Sequence, residues 1–239
     1  MREVKDVNMA DPRSKKRKPP ESADGSRHYH HGDLPRALVG AARQLLETQG
    51  LKNVTVRAAC ESIGVSIAAP YRHFGNREDL LAAVLAEAFG ELELATQQAW
   101  ASQPDPSQAL VKLGVAYVCF ASEHPNTYRA MFGGALDKQA YPALHAAGLR
   151  ALGVLQQAVR AWLDTVAAGQ GSERDGDEAT VSLVAWSMAH GISTLALDGV
   201  LNTTVGGSHE LAEGLFTRVV DALTLEQQTA RSNRPRSRP

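Results

Sequence analysis

The sequence predicts an all-α protein of about nine helices, a small three-helix unit followed by a larger helical bundle. Three observations carry this prediction. Apolar residues, 44% of the 239, recur at helical spacing along most of the chain, and no strand-like alternation or internal repeat interrupts them. Stretches rich in Gly, Pro and Asn cut that pattern into segments of helical length. Two segments, 55–62 and 66–74, are too short to persist alone in water and must dock on neighbours.

Residues 1–31 contain the basic run RSKKRK at 13–18, two prolines and no apolar periodicity, and are expected to form a disordered basic arm. Such an arm either adds phosphate or minor-groove contacts or only solubilises the chain. His28, His30 and His31 are spaced like metal ligands, but no cysteine or carboxylate is fixed beside them, so neither a metal site nor a cofactor is expected.

The small domain is assigned to 32–77. Its first helix, from about Asp33 to Thr48, takes Asp33 as cap and Pro35 in its first turn, with Leu34, Leu38, Ala42, Leu45 and Leu46 inward. Thr55 and Ser66 are each placed to cap a following short helix, and Gly64 can supply φ > 0 for the turn between them. Val56, Ala59, Ile63, Val65, Pro70 and Phe74 form the docking side. The second short helix turns out Ile67, Ala68, Ala69, Tyr71, Arg72 and His73, a small face ending in polar and basic groups. A DNA major groove accepts such a face on a helix-turn-helix. Pro70, as the fourth residue of that helix, is expected to distort its start without abolishing it.

The larger domain is assigned to 78–226. Its first helix begins at an Asn76 cap, with Asp79 at the third helical position in a near match to a capping box, and runs to about Trp100. At ~1.5 Å per residue it exceeds about 30 Å, enough to link the two domains mechanically. Further helices are expected at 107–123, after Pro142 to 168, at 178–197 and at 209–225. Broken material at 124–137 and a loop at 169–177 interrupt them. Residues 227–239 are expected to be a disordered basic tail.

The net charge of −1 conceals an uneven distribution. Residues 1–77 carry fourteen Lys/Arg against eight Asp/Glu, residues 78–226 carry seven against eighteen, and the last thirteen residues add four arginines and no acid. The front approaches phosphates while the body repels them, which would orient the molecule on DNA. No apolar run approaches the ~20 residues of a membrane span, and the basic start has no apolar stretch behind it as a secretory signal would. Cys60 and Cys119 fall in apolar helical patterns and read as reduced core residues, consistent with a cytoplasmic protein.

The segment VSIAAPYRHFGNREDLL resembles the DNA-binding signature of the TetR/AcrR family of bacterial transcriptional regulators, and the resemblance runs continuously over 29–81. WSMAHGISTLALDG (186–199) is similar to the Trp…His-Gly segment of the carboxy-terminal domain in one TetR subgroup. The resemblance implies that Ile67, Ala68 and Ala69 face bases, that Tyr71, His73 and Arg77 touch phosphate or sugar, and that Arg72 meets a base edge or a phosphate. Thr55 and Ser66 would lie against the DNA at the helix starts. Arg77 stands where the family usually has lysine, which keeps the charge and adds a planar fork. Small apolar groups suit thymine methyls, while Tyr and Arg supply donors to phosphate oxygens.

The same resemblance implies a body that binds a small molecule and forms a homodimer through its last two helices, with Ala185, Ala189, Leu211, Leu215 and Val219 at the interface. The alternative is that this apolar surface is covered by its own chain. Pocket candidates by residue type are Tyr117, Cys119, Phe120, Met131, Phe132, Tyr141, Trp162, Trp186, Met188 and His190. His190 either orients a ligand or is a core histidine bonded across the bundle. Asp198 either caps its turn or pairs with a partner. The function implied is a repressor whose dimer holds a palindromic double-stranded DNA operator and releases it on binding a small, mostly apolar effector. The nearer alternative is a DNA-binding regulator or activator without an effector. The remote one is an enzyme, because no Gly-rich phosphate loop, nucleophile elbow or paired-carboxylate motif is present.

Overall fold

The computed structural model describes residues 34–68, 70–168, 178–201 and 208–232. Among them are eight α-helices and no strand: α1 (Leu34–Gln49), α2 (Val56–Ile63), α3 (Arg77–Ala101), α4 (Pro106–Glu123), α5 (Pro125–Phe132), α6 (Pro142–Ala168), α7 (Glu178–Leu197) and α8 (Ser208–Ser232). The basic arm expected at 1–31, Ala69 and the loop at 169–177 lie outside the described residues.

The head is built from α1, α2 and the first turns of α3. Leu38, Leu46, Val54, Ala59, Leu80 and Leu81 are fully buried where the three meet. Helix α2 starts where Thr55 Oγ1 accepts the Ala58 N–H at 3.0 Å. It stops at Gly64, whose φ of 70° is left-handed and whose N–H turns back to the last carbonyls of the helix. Helix α3 starts with a reciprocal cap: Asn76 Oδ1 accepts the Asp79 N–H at 2.7 Å while Asp79 Oδ2 accepts the Gly75 N–H at 2.9 Å.

The segment expected to be the second short helix departs from expectation. The described residues of 66–74 contain no α-helix, only a 3-10 turn at Pro70–Arg72, where the His73 and Phe74 N–H groups both reach the Pro70 carbonyl, at 2.7 and 2.9 Å. Pro70 is the cause. It has no N–H to return to the preceding turn, and a proline disfavours helical backbone in the residue before it. As the first residue of a new turn it costs nothing, so the helical geometry begins at Pro70 rather than at Ser66. The count of eight α-helices instead of nine follows.

In the body, α4 is central, packed against α3, α6, α7 and α8, and α3 lies along α6. The α4–α8 approach depends on Gly114: a Cβ there would stand 2.5 Å from the Phe216 ring. The tail expected from residue 227 is helical through Ser232, because Glu226, Gln227, Gln228, Ala230 and Arg231 are adequate helix formers. Helix α7 is long and apolar enough to cross a membrane by length and composition, with a mean hydropathy of 1.3, although its interspersed Ser, Thr, Gly and His conceal this in the sequence. About a third of that stretch is buried within the bundle (33%).

Candidate functional site

Two candidate sites are formed, one on the head and one in the body. On the head, the turn after α2 displays Ile67 (42% exposed) and Tyr71 (58%), with Ser66, Ala68, Arg72 and His73 also exposed. Pro70 and Phe74, on the docking side, are buried. Ser66 Oγ accepts the Ala68 N–H at 3.4 Å. Thr55 is half-buried, with its oxygen engaged as the α2 cap.

Arg77 is placed differently from the phosphate-facing position that the resemblance implied. Its Nε donates to the Val54 carbonyl at 2.6 Å and its Nη2 to the Leu51 carbonyl at 2.7 Å. The remaining Nη1 lies 3.6 Å from Glu78. The planar fork clamps the 51–54 loop onto α3, a bidentate geometry that lysine cannot reproduce. The guanidinium thus positions the head while the side chain stays about a third exposed (32%).

The body forms a cavity of about 230 Å³ between α3, α4, the end of α5, α6, α7 and α8. Of the residues nominated from the sequence, Tyr117, Phe132, Trp186 and Met188 line it. Phe120, Met131 and Trp162 do not: Met131 and Trp162 are fully buried in the packed core, and Phe120 stands edge-on to His124 with centroids 5.1 Å apart. Cys119 and Tyr141 are half-buried away from the cavity. Much of the wall comes from residues that sequence reasoning passed over, including Phe89 and Leu92 of α3, Leu152 of α6 and Phe216 of α8. Three polar lining residues were also missed, Thr96, His145 and Lys138. Lys138 sits on the 3-10 turn Lys138–Ala140 between α5 and α6, and it is one of only two lysines beyond residue 52.

His190 resolves as a bonded core histidine behind the cavity wall. Its Nδ1 lies 2.6 Å from the Tyr128 hydroxyl and 3.1 Å from that of Tyr117, and the Trp186 indole N–H donates to the Tyr117 oxygen at 3.4 Å. Burial pushes both tyrosine hydroxyls above their usual range, so they remain donors. Burial, followed by the Lys138 charge, holds His190 below its ordinary value, which favours the neutral ring, whose Nδ1 the two tyrosine hydroxyls face. Asp198 resolves as a partner: it pairs with Arg129 at 3.0 Å, and the same guanidinium donates to the Leu197 carbonyl at 2.8 Å.

A second group missed in the sequence joins head to body. Glu47, in the last turn of α1, caps α5. Its carboxylate accepts the N–H groups of Asn126 and Thr127 at 3.2 Å each and the Thr127 hydroxyl at 2.7 Å. Its carbonyl accepts the Asn126 side-chain amide at 2.7 Å. An anion at a helix N-terminus is favourable, and here the helix carries Tyr128 and Phe132 to the cavity region.

The expected dimer residues are covered to different extents by their own chain. Ala189 is buried, Ala185, Leu211, Leu215 and Val219 are half-buried, and Ala185, Ala189 and Val219 line the cavity. The apolar residues that α7 turns outward are Leu183 (58% exposed), Val184 and Leu195 (44%). Because α7 is apolar nearly all round, its periodicity named no unique inner face.

With the geometry established, comparison with known proteins places both regions. The family model described as bacterial regulatory proteins, tetR family, matches residues 38–84, and the one described as tetracyclin repressor-like, C-terminal domain, matches residues 110–223. The HTH-type transcriptional regulator Mb1846 of Mycobacterium bovis is 24% identical over 147 residues, which cover 61% of this chain and 61% of that one. The match therefore spans about three fifths of that relative's length. A solved protein of unknown function from Rhodococcus sp. RHA1 is 29% identical with a TM-score of 0.68, covering 84% of this chain and 98% of that one. FadR from Bacillus subtilis, solved in complex with stearoyl-CoA, has a TM-score of 0.60 at 11% identity, covering 77% and 96%, and shares the fold alone.

Proposed function

The chain belongs to the TetR family of bacterial transcriptional regulators, and from that premise we propose that it is a cytoplasmic repressor. Its homodimer grips a palindromic operator and lets go when a small, mostly apolar effector fills the body cavity. The observation that carries the effector half is the cavity of about 230 Å³ with a direct hydrogen-bonded link from its neighbourhood to the head. Tyr117 and Phe132 line the cavity, Phe132 ends α5, and the other end of α5 is held by Glu47 of α1. An effector that displaces Phe132 or the Tyr117–Tyr128–His190 network tilts α5 and, through Glu47, re-aims the head. The coupling required is modest, about 1–3 kcal/mol.

The exposed turn supports the reading surface. Tyr71, Arg72 and His73 supply donors for phosphates, and Ile67, Ala68 and Ala69 enter the groove, with Thr55 and Ser66 at its edge. Arg77 acts at one remove by holding the loop before α2. Readout at 67–69 is weak because those side chains carry no polar group, so operator choice rests on Arg72 and on DNA shape. The dimer face is the outward side of α7, where Leu183, Val184 and Leu195 need cover.

Selection of bound duplexes from a random pool tests this. The expected product is an inverted repeat with half-sites about 10 base pairs apart or a multiple of that, and arginine loss at position 72 should blunt its selectivity. Enrichment of a single unrepeated site would remove the dimer from the account. An operator held equally tightly whatever occupies the cavity would leave a regulator without an effector.

A further inference from the structure

Beside Thr96, Tyr117 and His145, the cavity lining contains one lysine that its mainly apolar character does not explain. Lys138 lines it with its Nζ over two ring faces, 5.4 Å from the Phe89 centroid and 5.2 Å from that of Phe132. Among the described residues this ammonium forms no ion pair. The neighbouring carboxylate, Asp137, is turned away to cap its own turn, accepting the Gln139 N–H at 3.1 Å. Burial lowers the Lys138 pKa, and the lysine charge in turn helps to lower that of His190. Ring faces recover part of the lost hydration of an ammonium, and this half-buried lysine has no anionic partner among the described residues.

Resting on the effector reading above, we propose that the effector is an unbranched acyl chain ending in a carboxylate, with Lys138 as its anion anchor. The head group pairs with Nζ between Phe89 and Phe132. The tail runs along the stripe Phe89–Leu92–Thr96, which shares one face of α3 and spans about 10 Å, against Leu113, Leu152 and Phe216. Thr96 does not compete for the head group, because its hydroxyl is committed to the Leu92 carbonyl at 2.8 Å. The cavity is smaller than the roughly 300–1,000 Å³ of drug-sized sites, which suits a slim, medium-length chain. A cationic ligand meets repulsion from Lys138, and a neutral one gives the ammonium no counter-charge.

The test uses the full-length protein, with decanoate and decanol titrated separately below micelle-forming concentrations and binding read by calorimetry. The wild type should bind decanoate about tenfold or more tightly than decanol, the difference that a hydrogen bond to a charged group gives. Lys138→Met should lose that preference while keeping its affinity for decanol, and Lys138→Arg should retain it, with melting curves confirming that both variants fold. Equal binding of acid and alcohol by the wild type, or a preference that survives in Lys138→Met, overturns the anchor. So does failure of the wild type to bind decanoate. The same ligand added to the operator complex separates the two claims. Preferential carboxylate binding without release of DNA leaves Lys138 as an anion site and refutes the effector reading, whereas release by decanol as readily as by decanoate keeps the effector reading and refutes the anchor.

Discussion

The head and the cavity are two sites of one chain made by opposite means. The head is local: Thr55, Gly64, Asn76 and Asp79 set helix ends within a few residues of themselves, and the displayed residues 66–73 are contiguous. The cavity is assembled from six helices and a 3-10 turn between residues 89 and 220, and the polar groups beside it meet across separations of 62 and 73 residues. The head therefore tolerates little change in a short stretch, while the cavity can be retuned at many scattered positions without touching DNA contacts. Glu47 is where the two regimes join, bonding to residues 79 and 80 positions away.

Substitutions should separate these regimes by what they disturb. The largest effect is expected for Arg77→Ala, which removes two charge-assisted bonds to loop carbonyls. A loss of about 2–4 kcal/mol in chemical denaturation is predicted, with DNA affinity falling in parallel. Gly114→Ala should follow at about 1–3 kcal/mol, because the new Cβ must push Phe216 and α8 aside. It disturbs the body and the cavity wall while leaving the head intact by hydrogen exchange. Arg72→Ala should leave the melting temperature unchanged, weaken operator binding, and, if the contact is to phosphate, reduce the salt slope by about one.

The smallest effect concerns pH. His190 is held neutral in the folded state with its affinity for protons reduced, so the unfolded chain binds the proton more readily. This group's contribution is intact above about pH 6.5 and is lost as pH falls below it. Lys138, which adds to that depression, is the charged group named at the site; Tyr117, Tyr128 and Trp186 face the ring as neutral partners. His190→Asn should flatten the stability profile between about pH 6.5 and 5, as measured by urea midpoints.

The same contrast explains what could be read from the sequence. Helix ends were legible because capping chemistry is local: Thr55 before Val56 and Asn76 before Arg77 start α2 and α3 as their residue types require. The α7 face was not legible, since a helix apolar on all sides has no preferred direction until its neighbours are known. Pro70 was noticed but its effect underestimated; one missing donor moved the start of the turn by four residues. Arg77 carries the expected charge at the expected place, yet its orientation depends on two carbonyls in a loop that no periodicity describes. The cavity was half legible. Aromatic residues marked Tyr117, Phe132 and Trp186, but residue type does not distinguish these from Met131 or Trp162, which are simply core. Lys138 carries a further signal, as one of only two lysines in a body rich in acids.

The account turns on whether occupancy of the cavity is felt at the DNA. The most direct measurement is the dissociation constant of the selected operator, read by fluorescence anisotropy of labelled duplex, with and without saturating cavity ligand, for the wild type and Glu47→Gln. The prediction is a rise of roughly 5–150-fold in the wild type, markedly reduced in Glu47→Gln although the ligand still binds. An operator affinity that does not move while calorimetry shows the cavity filled would contradict it.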